Sequence, residues 1–93
     1  MVDPLDPRLN EQSQAVFHNK YFLPVAAVAA TFSDGTFNQA VIAKRLNVQP
    51  NLVMGPLKRL KNAGLCKPTS DGLERVPGKF WDFLTAWCEE LAP

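Results

Sequence analysis

The chain has two cysteines and one histidine in 93 residues. Cys66 and Cys88 are too few for a disulfide framework, and their spacing matches no zinc motif. They read as reduced packing residues of the kind found in cytosolic cores. A redox switch at Cys66 has only its position, at the start of an expected hairpin, to support it. With His18 as the lone histidine, a histidine-rich metal site or a histidine-based triad is not expected. A Gly-rich phosphate loop is missing, no nucleophile has a base at a useful spacing, and the acids are scattered. The chain is therefore expected to be no enzyme, and to carry no cofactor and no metal. The apolar stretch from Leu23 to Phe32 is short and contains Pro24, so no membrane span is expected. Asp3, Asp6 and Glu11 stand where a signal peptide would have a basic start and an apolar run, which points to a cytoplasmic protein.

Acid is also missing from Gly35 to Ser70, and that stretch holds six basic residues: Lys44, Arg45, Lys58, Arg59, Lys61 and Lys67. The formal net charge of +1 therefore hides a partition of −2 over residues 1–34, +6 over 35–70 and −3 over 71–93. Positive charge gathered in this way is the electrostatic footprint of a surface that lies on phosphate backbone. Lysines on a helix are more often just a solvated face, and Lys58 and Lys61 taken alone also fit that reading. The lack of any compensating acid weighs against it.

Composition is otherwise ordinary, 46% hydrophobic and 10% aromatic, as for one small globular domain. Two Asp-Pro pairs make residues 1–10 a flexible arm, with the domain spanning 11–93. A helix is expected from Asn10 to Phe22, then a break with Leu23 extended ahead of Pro24. Val25, Val28, Ala29 and Phe32 continue an apolar helical stripe to the turn signal Ser33-Asp34-Gly35. Thr36-Phe37 suggests a very short strand. A helix over 38–46 follows, with Asn38 as N-cap and Phe37 and Ile42 at the N′ and N4 positions of a hydrophobic staple. Asn47-Val48-Gln49 forms a turn, and a second helix runs over 50–63 with Pro50 at N1. Its buried stripe is Val53, Leu57 and Leu60, and Gly64 stops it. Residues 65–76 read as a hairpin turning at Ser70-Asp71-Gly72, and 79–91 as a last helix. The fold class is mainly α with a small β-hairpin.

Ile42-Ala43-Lys44-Arg45-Leu46-Asn47-Val48, then Leu57-Lys58-Arg59-Leu60 and Ala63-Gly64-Leu65, resemble winged helix-turn-helix regulators of the MarR/ArsR kind over roughly residues 25–77. The resemblance implies a winged helix-turn-helix with extra N- and C-terminal helices, the hairpin being the wing. It implies a DNA-binding transcription regulator, a homodimer, whose helix 50–63 enters the major groove. Met54-Gly55-Pro56 departs from the pattern, because related recognition helices often place Arg or another polar reader there. A proline inside a regular helix costs about 3 kcal/mol, so a bend or a later start is expected. Base contacts should be few and phosphate contacts dominant.

On the helical wheel, Asn51, Gly55, Lys58 and Asn62 point away from Val53, flanked by Met54 and Lys61, with Arg59 on the other side. Residues early in such a helix meet base edges, and later basic ones meet phosphate. Asn51 is placed to pair with adenine and Gln49 to touch a base or phosphate, although both equally suit capping. Lys44, Lys58, Arg59 and Lys61 are positioning contacts. Lys67 and Arg75, read as flanking the hairpin turn, bring charge to the minor groove or its phosphates on flanking backbone. Phe17, Tyr21, Phe22, Trp81, Leu84, Trp87 and Leu91 give the end helices more apolar surface than a monomer readily hides, which suggests a dimer interface. The alternative is a winged-helix module that binds protein and not DNA. A small-molecule effector between the end helices has no support beyond position.

Overall fold

The computed structural model describes residues 5–32 and 36–91, with Leu91 described through its backbone alone. Five helices and one antiparallel hairpin make up the described residues: α1 (Pro7–Phe17), α2 (Phe22–Ala29), α3 (Gln39–Leu46), α4 (Pro50–Asn62), β1 (Cys66–Thr69), β2 (Gly72–Arg75) and α5 (Lys79–Leu91). Among the described residues no helix is long and apolar enough to cross a membrane.

The arm expected over 1–10 ends earlier than its composition suggests. Asp6 is an N-cap whose carboxylate accepts from the Arg8 N–H at 3.0 Å, and Pro7 occupies N1, where its missing N–H removes nothing. The second Asp-Pro pair therefore starts a helix. Residues 1–4 lie outside the described residues.

The expected break at Pro24 is also displaced. α1 stops at Phe17 because His18 takes the left-handed conformation at φ 55°, and Pro24 lies inside the first turn of α2. Hydrogen bonds account for the corner. Ser13, fully buried, donates its hydroxyl to the Asn19 carbonyl and accepts from the Leu23 N–H at 2.8 Å. The Asn19 side chain accepts from the Tyr21 N–H at 2.9 Å, and Asn10 donates to the Lys20 carbonyl at 2.9 Å. The first N–H groups of a helix have no partner within it, so α1 supplies one for Leu23 while Pro24 has none to satisfy. Leu23 is therefore helical and fully buried.

Seven of the eight residues of α2 are buried, and α1, α3, α4 and α5 all pack against it. The stripe expected to reach Phe32 is helical to Ala29; its turn signal, Ser33-Asp34-Gly35, lies outside the described residues. α3 is capped as expected, the Asn38 side chain accepting from the Val41 N–H at 2.9 Å. Asn47 closes it in the left-handed region at φ 56°. α4 begins at Pro50 and runs unbroken through Pro56, so the expected later start does not occur. The Pro56 ring is fully buried, and its place in the interior offsets the lost backbone bond.

The hairpin pairs Cys66 with Arg75, Lys67 with Glu74, Pro68 with Leu73 and Thr69 with Gly72. The short strand expected at Thr36-Phe37 is a single bridge: Phe37 donates to the Leu73 carbonyl at 2.8 Å and accepts from its N–H at 2.7 Å. The other end of the hairpin is tied to α5 through Trp81, whose indole N–H donates to the Leu65 carbonyl at 3.2 Å.

Gly64 and Gly72 both have positive φ, but a side chain would meet different surroundings at each. At Gly64 (φ 77°) a Cβ has open space, whereas at Gly72 (φ 142°) it would lie 2.5 Å from the Phe37 carbonyl oxygen. Gly64→Ala should therefore cost about 1 kcal/mol from backbone strain alone. Gly72→Ala should cost about 3 kcal/mol or more, because backbone must move as well. Urea denaturation measures both; equal losses would show that the bridge does not constrain Gly72.

Candidate nucleic-acid interface

The exposed side of α4 opposes its buried stripe of Val53, Pro56, Leu57 and Leu60. Asn51, Gly55, Lys58 and Asn62 lie along it at i, i+4, i+7 and i+11, all exposed. Gln49 is the N-cap residue by its backbone, but its side chain makes no capping bond, so the capping role weighed for it is not filled. The Asn51 side chain likewise makes no hydrogen bond to the described residues.

Met54, Lys58 and Lys61 lead from this face into an open groove of about 500 Å³. Leu57 lies in its α4 wall, Gly72 and Leu73 form the hairpin wall, and Asn38 and Gln39 close one end. Gln39 also ties the two helix starts together, donating to the Pro50 carbonyl at 2.7 Å. Sequence reasoning missed Asn38, Gln39, Gly72 and Leu73 as groove residues. The Thr36-Phe37 strand signal was the available clue, since pairing there brings the start of α3 beside β2.

The six basic residues of the acid-free stretch are not all together. Lys58 and Lys61 line the groove, whereas Arg59 projects from the opposite flank of α4 and Lys44 is exposed on α3. Arg45 is held by its own neighbours: a guanidinium nitrogen donates to the Thr31 hydroxyl at 3.2 Å, and the group lies 4.6 Å from the centre of the Phe32 ring. Lys67 is exposed but faces Glu74 across the hairpin, which lowers the field it presents. Among the described residues the only ion pair is Arg8–Asp6, so Lys44, Lys58, Arg59, Lys61 and Lys67 have no internal counter-charge in contact.

Arg75 does not flank the hairpin turn. It pairs with Cys66 at the opposite end of the hairpin, half-buried, its guanidinium 5.2 Å from the centre of the Trp81 ring. Strand alternation puts Arg75 on the inward side with Cys66 and turns Lys67 outward. Arg75 is thereby a packing residue more than a free contact.

The expected dimer surface changes in the same way. Phe22, Trp81 and Leu84 are 7%, 4% and 2% exposed, so the chain buries them itself. Phe17, Tyr21 and Trp87 are half-buried against the core, and the Leu91 side chain lies outside the described residues. The large apolar group that α5 does present is Phe83, 62% exposed, its ring centre 5.8 Å from that of Trp87.

Both thiols are inside. Burial pushes Cys66 up to about 11, the Arg75 charge pulling weakly the other way, and burial also raises Cys88. Burial thus disfavours the reactive thiolate form at both positions, which argues against ready oxidation at Cys66. No family model, no curated relative and no solved structure matches the chain.

Because the fold favours the neutral Cys66 thiol, its contribution to stability is complete below the ordinary thiol range. It is lost as the pH rises through the folded value of about 11. Unfolding free energy should thus fall more steeply between about pH 9 and 11 in the native sequence than in Cys66→Ala, as measured by urea denaturation. Equal slopes would exclude the buried thiol as a source of alkaline loss.

Proposed function

We propose that the chain is a winged helix-turn-helix module that binds double-stranded DNA as a transcriptional regulator. In this reading α4 enters the major groove and the hairpin, as wing, rests on flanking backbone. The observation that carries it is the pair Lys58 and Lys61, exposed and with no counter-charge in contact among the described residues, lining a groove between α4 and the hairpin. Phosphate is the chemistry such a pair attracts, because each neutralised phosphate releases condensed counterions. Asn51, whose side chain makes no hydrogen bond among the described residues, is best placed to read a base, and adenine suits its donor and acceptor. Lys44 and Arg59 extend phosphate contacts to either side. Few base readers and several cations predict binding that is strong in its electrostatic part and modest in sequence preference.

The apolar floor of the same groove, with Met54 53% exposed beside Leu57 and Leu73, favours a second reading as a protein-binding winged-helix module. Self-association through the end helices, in either reading, falls on Phe83 and Trp87, since Phe22, Trp81 and Leu84 are used internally.

Duplex binding should weaken with salt, with a log–log slope of about −3 or steeper, matching three to four neutralised phosphates. Lys58→Glu with Lys61→Glu should weaken it by more than about a hundredfold while leaving stability within about 0.5 kcal/mol. Fluorescence anisotropy on random duplex across a salt series measures the slope and the variant's affinity, urea denaturation its stability, and gel shifts at low salt whether duplex is bound at all. No retardation at micromolar protein would favour the protein-binding reading, and unchanged affinity in the double variant would move the DNA face elsewhere.

A further inference from the structure

α5 is buried along one side by Trp81, Leu84 and Cys88. With 3.6 residues per turn, the direction opposite that side falls on Lys79, Phe83, Ala86 and Glu90, spaced i, i+4, i+7 and i+11. All four are exposed, Phe83 by 62%. Phe83, Ala86, Trp87 and Glu90 line an open hollow of about 260 Å³. Along the outer face of α5 the order is therefore cation, large apolar group, small apolar group, anion.

Neither charge suits α5 itself. Lys79 opens the helix and Glu90 is its last residue but one, so each stands at the end where the helix dipole disfavours its sign. About 16 Å of helix separates the two, too far for them to pair with each other. Among the described residues the only ion pair is Arg8–Asp6, so neither has a counter-charge in contact.

This order of side chains is complementary to itself when reversed. In an antiparallel pair of α5 helices related by a two-fold axis at the middle of the stripe, Lys79 of each copy faces Glu90 of the other. Phe83 likewise faces Ala86, whose small side chain leaves the hollow open to the ring. Each contact occurs twice, as a closed two-fold interface requires. Asp82 and Glu89 lie about 75° or more to one side of the stripe and Trp87 to the other. A two-fold axis brings like flanks together, so the helices lean toward the Trp87 side and away from the acids.

We propose that the chain forms an antiparallel two-fold dimer through this outer stripe of α5. Phe83 is its buried anchor, and two Lys79–Glu90 pairs set its direction. One pair of 13-residue helices makes an interface smaller than about 1,200 Å², so the dimer is weak, with a dissociation constant of about 10–100 μM. The proposal goes beyond the DNA-binding reading and does not need it.

Sedimentation equilibrium at low ionic strength, from about 5 to 500 μM protein, tests the proposal, with circular dichroism and thermal unfolding of each variant. The native chain should show a monomer–dimer equilibrium, and Phe83→Asp should stay monomeric with its unfolding midpoint within about 3 °C of native. Lys79→Glu and Glu90→Lys should each weaken the dimer about tenfold, because each sets like charges opposite one another twice. Lys79→Glu combined with Glu90→Lys should return affinity to within about twofold of native. Both changes agree with the helix dipole, so weaker association in the single variants cannot come from a less stable α5. The two sites are too far apart in one chain to interact, so recovery reports contact between copies. A native chain monomeric at the highest concentration, native association in Phe83→Asp, or no recovery in the double variant would each overturn the proposal. Should Phe83→Asp lose its helical spectrum, the charge exchange decides alone. Absence of duplex binding would remove the DNA-binding reading and leave this dimer standing.

Discussion

Burial of α2 is the constraint on which the other helices depend. An eight-residue helix has little stability of its own in water, since nucleation is costly and propagation short. Here it is formed by what surrounds it: seven of its residues are out of solvent, and α1, α3, α4 and α5 lean on it from different sides. Burying this apolar helix is the main favourable contribution available to so small a domain. It also requires that the polar groups at its start be satisfied, which is the task of the Ser13 hydroxyl and the Asn19 side chain. A core polar group in this position is stabilising because it leaves no backbone donor unpaired.

Two small anchors then set the position of the hairpin. The Phe37–Leu73 bridge holds β2 beside the start of α3, and the Trp81 indole holds the residue before β1 against α5. Arg75 completes the second anchor by lying on the Trp81 ring. The groove beside α4 follows from this placement, because its walls are the lysine-bearing side of the helix and the Gly72–Leu73 edge of the hairpin. Packing and proposed chemistry are thereby coupled: loosening the bridge at Phe37 would open the wall that faces Lys58 and Lys61.

Legibility in the sequence followed how local each signal was. The α3–turn–α4 segment was readable almost to the residue, because Asn38, Asn47, Pro50 and Gly64 act on backbone groups within a few positions of themselves. Pro24 misled because a proline marks either a break or a first turn, and the choice lay with Ser13, which binds the N–H of Leu23 ten residues on. Asp6-Pro7 was ambiguous in the same way, a loop signal that is also a helix start. In the candidate site, exposure of Asn51, Met54, Lys58 and Lys61 followed from helical period. Arg75 did not, since a strand residue's face depends on register, and register depends on the partner strand. The aromatic residues assigned to an interface showed the same limit: apolar periodicity states that a face is buried, without stating against what.

The sequence by itself determined where the helices of the central segment begin and end, that a short hairpin follows them, and that positive charge gathers there without acid. These properties are set by covalent geometry, capping chemistry and composition, none of which needs a distant partner. Only the tertiary structure decided that Phe22, Trp81 and Leu84 are core, that Arg75 is stacked and Lys67 turned outward, and that Lys58 and Lys61 share a groove with the hairpin. Those outcomes depend on which surfaces meet, and that is settled by packing residues far apart in the chain around α2.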